Sequence, residues 1–220
     1  MVHNGAELVE WRADYYSDLS SYQSVLETLK GLREIIGDLP LIFTVRTKHE
    51  GGEVEIADSD YSALLLFVSK TQLADLIDVE LFRCEGYLSD LVEKIHEHNM
   101  QVIMSNHDFQ STPSEDELIA RMRLMHSSGG DVLKIAVMPS SSKDVLTLLS
   151  ATNEVALEIS KPLVTMSMGK IGVISRIAGE IFNSCLTFGT VGKGSAPGQI
   201  PIDQLKQCLE IIHNSQSASK

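Results

Sequence analysis

The sequence predicts an α/β fold of repeated βα units and, within that class, a (β/α)8 barrel occupying residues 1–220 as one domain. Three observations lead there. Short runs rich in Val and Ile alternate with longer helical stretches at intervals of about 30 residues, the size of a parallel crossover unit. The first run is followed by Ala13-Asp14-Tyr15-Tyr16, not by the G-x-G-x-x-G of an open dinucleotide-binding sheet. Polar and charged residues crowd the C-terminal end of almost every run, where a closed barrel keeps its chemistry.

The runs are Glu7–Arg12, Pro40–Arg46, Asp75–Phe82, Gln101–Asn106, Asp131–Val137, Pro162–Ser167 and Cys185–Thr190. They are nearly continuously apolar, as strands covered by helices should be. Between the first two, Ser20–Ile36 carries Val25, Leu26, Leu29, Leu32, Ile35 and Ile36 at helical spacing, and Gly37 stops it. Pro113-Ser114-Glu115-Asp116-Glu117 opens another helix, with acidic residues in the turn where the helix dipole favours them. A barrel needs eight strands and seven are visible, so either the first βα unit is lacking or one strand is disguised. The Ser-rich tail Asn214–Lys220 is predicted to fray.

Composition narrows the function. Asp and Glu number 30 against 18 Lys and Arg, a formal charge of −12, which disfavours a general binder of nucleic acid or anionic membrane. Local cations can still hold a small anion. No apolar run reaches about 18 residues, and the start Met1-Val2-His3-Asn4-Gly5-Ala6 has no signal-peptide pattern. Cys84, Cys185 and Cys208 form no paired framework, so a reducing cytoplasm is expected, with the thiols packed as small hydrophobes. Met100, Met104, Met122, Met125, Met138, Met166 and Met168 read as core filler.

Lys134 is the sharpest chemical signal. It interrupts the apolar run Val132-Leu133-Lys134-Ile135-Ala136-Val137, and lysine is rarely buried. Either it lies on an edge and snorkels, or it points inward, where desolvation favours a neutral amine that can attack a carbonyl and form an imine. His107 closes its own run within Ser105-Asn106-His107-Asp108-Phe109, as a structural hydrogen bonder or as a general base. Glu10, Arg12, Arg46 and Glu50 cluster at the ends of the first two runs, either as an ion network capping the barrel or as a cradle for a polar substrate. Glu10 and Arg12 share a face by the period of two. A metal set from Glu10, Glu80, His107 and Asp108 is disfavoured, since no H-x-H or H-E-x-x-H spacing supports it. Gly189–Gly198 (GTVGKGSAPG) is not a phosphate loop, because Gly194 separates Lys193 from Ser195; a small-residue lid is expected there. Arg176 follows Met168-Gly169-Lys170-Ile171-Gly172 and could reach a carboxylate with its fork.

Taken together these motifs resemble type I 3-dehydroquinate dehydratase, the Schiff-base dehydratase of the shikimate pathway. The matching pieces, in the family's order, are Glu10-Trp11-Arg12-Ala13-Asp14, Phe43-Thr44-Val45-Arg46-Thr47 with Glu50-Gly51-Gly52, and Asp78-Val79-Glu80-Leu81. They continue with Ser105-Asn106-His107-Asp108-Phe109 and Thr112-Pro113, Lys134-Ile135-Ala136-Val137-Met138-Pro139, Ser167-Met168-Gly169 with Gly172 and Ser175-Arg176, and Ser195-Ala196-Pro197-Gly198-Gln199.

The resemblance implies a barrel that is usually a homodimer and needs neither metal nor organic cofactor. The reaction it implies is loss of water from 3-dehydroquinate, giving 3-dehydroshikimate. By position, Lys134 would form the imine, His107 would be the general acid and base, and Glu50 would orient and polarise His107. Glu10, Arg12 and Arg46 would hold substrate hydroxyls, Arg176 would pair with the carboxylate, and Ser195 and Gln199 would lie on the closing loop. The three arginines would further disfavour an ammonium at Lys134. The family's first strand and helix have no counterpart, which would leave Glu7–Arg12 and Cys185–Thr190 facing a gap. Two rival readings are an aldolase-type Schiff-base lyase and an incomplete, inactive barrel that only binds shikimate-type ligands.

Overall fold

The computed structural model describes residues 5–192, 194 and 196–217. Its elements follow the βα alternation: β1 (Val9–Arg12), α1 (Tyr22–Ile36), β2 (Leu41–Thr44), α2 (Asp58–Thr71), β3 (Leu76–Glu80), α3 (Leu88–His96) and β4 (Gln101–Asp108). Then come α4 (Glu115–Ser127), β5 (Val132–Val137), α5 (Ser142–Glu158), β6 (Leu163–Ser167), the short α6 (Val173–Ile177) and α7 (Ile202–Ser217). They group into two compact units. One comprises residues 7–106 and 125–132, and the other holds the remaining described residues.

In the first unit β1 pairs with β2, β2 with β3 and β3 with β4, all parallel. The register places Glu10 beside Ile42, Arg12 beside Thr44, Thr44 beside Asp78 and Glu80 beside Ser105. Since side chains alternate along a strand, these polar residues share one sheet face. In the second unit β5 and β6 are parallel, with Lys134 beside Val164 and Ala136 beside Met166. Four-residue β2 and five-residue β6 are buried throughout, as expected for strands covered on both faces.

The helix boundaries follow local chemistry. The Ser21 side chain accepts from Ser24 N and caps α1. Val25, Leu29 and Ile36 bury one stripe of the helix. Gly37 ends it at φ 60°, ψ −126°, a backbone shape that only glycine adopts without strain.

Three expectations need correction. Cys185–Thr190 is not a strand. Its first amide bonds to Leu163 O at 2.8 Å, but Thr190 turns away to bridge Pro201, and no residue of the segment is buried. Apolar β-formers alone do not make a strand when the ladder with the neighbour stops after one bond. The tail does not fray from Asn214, because α7 continues to Ser217; residues 218–220 lie outside the described residues. Of the cysteines only Cys84 is buried, while Cys185 is exposed and Cys208 half-buried. Six of the seven methionines named above are buried and Met138 is half-buried, so their core role holds.

Ser21→Ala should lower stability by about 1 kcal/mol, the cost of a lost N-cap. Gly37→Ala should cost more, because the new Cβ meets a forbidden backbone region. Urea titration of the two variants checks the ranking, and equal midpoints would contradict it.

Candidate active site

In the unit of residues 7–106 and 125–132, the polar face converges on Arg46, which follows β2 and is 3% exposed. Its Nη2 donates to Asp78 Oδ1 at 2.8 Å. Its Nη1 is shared among Glu80 Oε1 at 3.0 Å, Ser105 Oγ at 3.0 Å and Glu50 Oε2 at 3.2 Å. Burial opposes the guanidinium charge, but Asp78, Glu50 and Glu80 outweigh it and hold Arg46 above its ordinary range.

One cation against three buried carboxylates leaves an excess of negative charge. Glu80 also accepts from Thr47 N at 2.8 Å and Thr47 Oγ1 at 2.7 Å, and Asp78 accepts from Ser105 Oγ at 2.6 Å. Glu50 has the longest contact with Arg46 of the three, plus a 3.0 Å bond from Asn106 Nδ2. Burial, opposed by Arg46 and reinforced by Glu80, pushes its carboxyl up to about 8. Glu50 is therefore the member that keeps a proton near neutrality.

The loop that carries Glu50 is fixed by its glycines. Glu50 ends a single 3-10 turn, Gly51 is left-handed at φ 76°, and Gly52 N bonds to Thr47 O at 2.8 Å. A Cβ on Gly52 would collide with the Arg46 carbonyl. Asp14, just after β1, ties this loop to Arg12. It takes the Arg12 fork at 2.7 Å on both oxygens and also accepts from Arg46 N at 3.3 Å and Glu53 N at 3.2 Å. Desolvation works against Arg12, yet the Asp14 bonds hold its guanidinium above the usual range. Thr44 Oγ1 donates to Glu10 Oε1 at 2.9 Å, so Glu10 and Arg12 stand side by side on the polar face.

The second unit contains Lys134, His107 and Arg176. Lys134 sits in the middle of β5, 4% exposed, with Nζ 4.7 Å from the Phe188 ring centroid. It is an inward lysine and not an edge one. By register it shares a face with Val164, and two residues on with Met166. Arg176 on α6 reaches that face, placing Nη1 3.8 Å from the Met166 sulfur. It is 1% exposed, its Nη2 donates to Pro197 O at 3.1 Å, and its Nε has no partner among the described residues. Desolvation depresses its guanidinium below the ordinary range. A buried, uncompensated guanidinium is a site made for an anion.

The remaining candidates are placed as follows. His107 lies on β4, two residues beyond Ser105. Gln199 is half-buried in the segment before α7. Ser195 and Lys193 lie outside the described residues. Gly169 N bonds to Pro197 O at 3.1 Å, so the two small-residue segments after β6 and before α7 meet.

Sequence reasoning did not single out Asp14, Asp78, Ser105, Asn106 or Tyr61. Asp78 and Glu80 carried a signal, since two carboxylates on one face of an apolar strand require partners. Tyr61 carried none. It is buried on α2 and its Oη accepts from Glu80 N at 3.0 Å.

Glu50 gives a pH signature. Between its ordinary 4.5 and about 8, the folded chain keeps a proton that the unfolded chain has released, so raising pH favours unfolding across that window. Glu50→Gln, which cannot titrate, should flatten the fall by about 1.4 kcal/mol per pH unit. Denaturant titrations from pH 5 to 8 check this, and parallel slopes in both proteins would contradict it.

The family model described as "Type I 3-dehydroquinase" matches residues 1–216. A 3-dehydroquinate dehydratase of Escherichia coli O7:K1 is 48% identical over 210 residues, which is 95% of this chain and 83% of that protein. One from Listeria welshimeri is 45% identical over 207 residues, 94% of this chain and 82% of the relative. Among solved structures, the type I enzyme from Clostridium difficile, with covalently modified comenic acid, has a TM-score of 0.93 at 44% identity. It covers 97% of this chain and 85% of its own. The 3-dehydroquinate dehydratase of Geobacillus kaustophilus gives 0.94 at 38% identity, covering 99% and 84%. The chain shares their TIM-barrel-like α/β fold, the class expected from the sequence.

Proposed function

The chain belongs to the type I 3-dehydroquinases, hydro-lyases of the shikimate pathway that take 3-dehydroquinate as substrate, and from that premise we propose that it removes water through an imine on Lys134. The observation that carries this reading is a buried amine and a buried, uncompensated guanidinium on one face of one unit. Lys134 lies opposite Val164, and Arg176 touches Met166 two residues further along, a spacing of about 6.6 Å along a strand. A ring bearing a carboxylate and a ketone offers one group to the guanidinium and the other to the amine.

The Lys134 amine adds to the ketone carbon, forming a C–N bond. The carbinolamine then loses water to give the iminium. The cation withdraws electrons, so the neighbouring C–H becomes acidic and its proton passes to His107. The C–H electron pair becomes a C=C bond to the former imine carbon, and the C=N π pair moves onto nitrogen, leaving a neutral enamine. The nitrogen pair then re-forms the C=N bond, the C=C pair shifts to the carbon bearing the hydroxyl, the C–O bond breaks, and the hydroxyl leaves as water with the proton held by His107. Hydrolysis of the product imine frees 3-dehydroshikimate and Lys134.

Glu50 would orient and polarise His107, the role the resemblance implies for it. Arg176 holds the carboxylate, Glu10, Arg12 and Arg46 hold hydroxyls, and Ser195 and Gln199 belong to the closing loop. The covalent modification in the Clostridium difficile structure supports a covalent route. The cytoplasm and a homodimer are the setting the resemblance implies. No helix among the described residues is long and apolar enough to cross a membrane.

Borohydride added during turnover of 3-dehydroquinate should leave a reduced adduct on the peptide bearing Lys134, read by intact mass and peptide mapping. Lys134→Ala should abolish both adduct and turnover; near-normal turnover would overturn the imine. His107→Ala should slow turnover by about 10²–10⁴-fold while still permitting some adduct, since it loses proton transfer and keeps the amine.

A further inference from the structure

Phe188 is the ring that faces the Lys134 nitrogen, and the chemistry above gives it no task. We infer that Phe188 is a catalytic residue whose ring face stabilises the cationic imine at Lys134 Nζ. This inference rests on the imine reading of Lys134.

The geometry supports it in three ways. The 4.7 Å from Nζ to the ring centroid lies within the ~6 Å over which a cation is drawn to an aromatic face. Lys134 is 4% exposed, and the attraction grows when water is excluded. Nζ is also the atom that becomes the imine nitrogen, so the ring stands against the reacting centre before and after the C–N bond forms.

A ring face supports positive charge and accepts no proton. Its effect therefore follows the charge on nitrogen through the cycle. The carbinolamine and the enamine are neutral there, and the substrate and product iminium ions are cationic. The ring speeds the two steps that create the cation: water loss from the carbinolamine, and departure of the hydroxyl from the enamine. Removal of the C–H proton discharges the nitrogen and gains nothing. Phe188 thus sets how much enzyme stands as iminium.

Cys185–Thr190 departs from a regular strand, with Cys185 bonded to Leu163 O and Thr190 to Ile200 O. Half-buried Phe188 lies between these two anchors.

The test places 4-fluoro-, 3,5-difluoro- and 3,4,5-trifluorophenylalanine at position 188 and compares them with Phe188→Leu and Phe188→Trp. Fluorine drains the ring face of negative charge with little change of shape, so folding is retained across the series. The readout is the fraction of enzyme trapped at Lys134 by a short borohydride pulse in the presence of 3-dehydroshikimate, together with kcat. Trapped iminium and kcat should fall stepwise with each added fluorine, and Phe188→Leu should lose roughly tenfold to thirtyfold in iminium population. Phe188→Trp, with a stronger ring face, should keep it. A flat fluorine series overturns the inference even if Phe188→Leu is slow, because packing alone would then explain the loss. No adduct in the unsubstituted protein overturns the imine reading itself, and the role of Phe188 with it.

Discussion

The unit that holds residues 7–106 is organised around a single buried guanidinium. Arg46 is bound by Asp78, Glu80, Glu50 and Ser105, which come from β3, the Glu50 turn and β4. Removing water from one cation and three carboxylates is expensive unless every lone pair and proton finds a partner. The surrounding bonds meet that demand: Thr47 on Glu80, Ser105 on Asp78, Asn106 on Glu50 and Tyr61 on the Glu80 amide. A proton on Glu50 reduces the excess negative charge without removing it. The structural need to limit charge in a buried cluster thereby leaves a carboxylic acid that still carries its proton near neutral pH.

The other unit handles its guanidinium differently. Arg176 leans on a carbonyl and a thioether, and an aromatic face lies over the Lys134 nitrogen. A carbonyl and a thioether support a guanidinium more weakly than a carboxylate and leave charge to be used. A guanidinium with an orphaned Nε can take up an anionic group, and a ring can stay beside a nitrogen whose charge rises and falls through a reaction. The two units share one device in their loops. Gly52 lies against the Arg46 carbonyl, and Gly172 against the Ser167 carbonyl, each too close for a Cβ. In both cases the chain folds back tightly past a strand end and places a charged residue, Glu50 or Arg176, at that end.

How legible each site residue was depends on how it breaks its local pattern. Lys134 was legible because a charge in the apolar run VLKIAV demands an explanation. Glu10 and Arg12 were legible as a same-face pair from the period of two. Asp78 and Glu80 carry a like signal, yet nothing local tells that both meet Arg46, which is 32 and 34 residues away. Tyr61 and Phe188 match their surroundings as apolar residues, so only contact distances reveal what they face. The segment Cys185–Thr190 has strand-forming residues, but strands are completed by a neighbour's hydrogen bonds, and those stop after Cys185.

By itself the sequence determined the order of βα units, six of the strands, the end of α1 at Gly37, and the family through its ordered motifs. These depend on neighbours in the chain: alternation, capping and backbone freedom act over a few residues. The tertiary structure decided that Glu50 keeps its proton up to about 8, that Arg176 is buried with its Nε unpartnered among the described residues, and that an aromatic ring lies over Lys134. Charge state and desolvation are sums over groups far apart in sequence, and only packing brings those groups within reach.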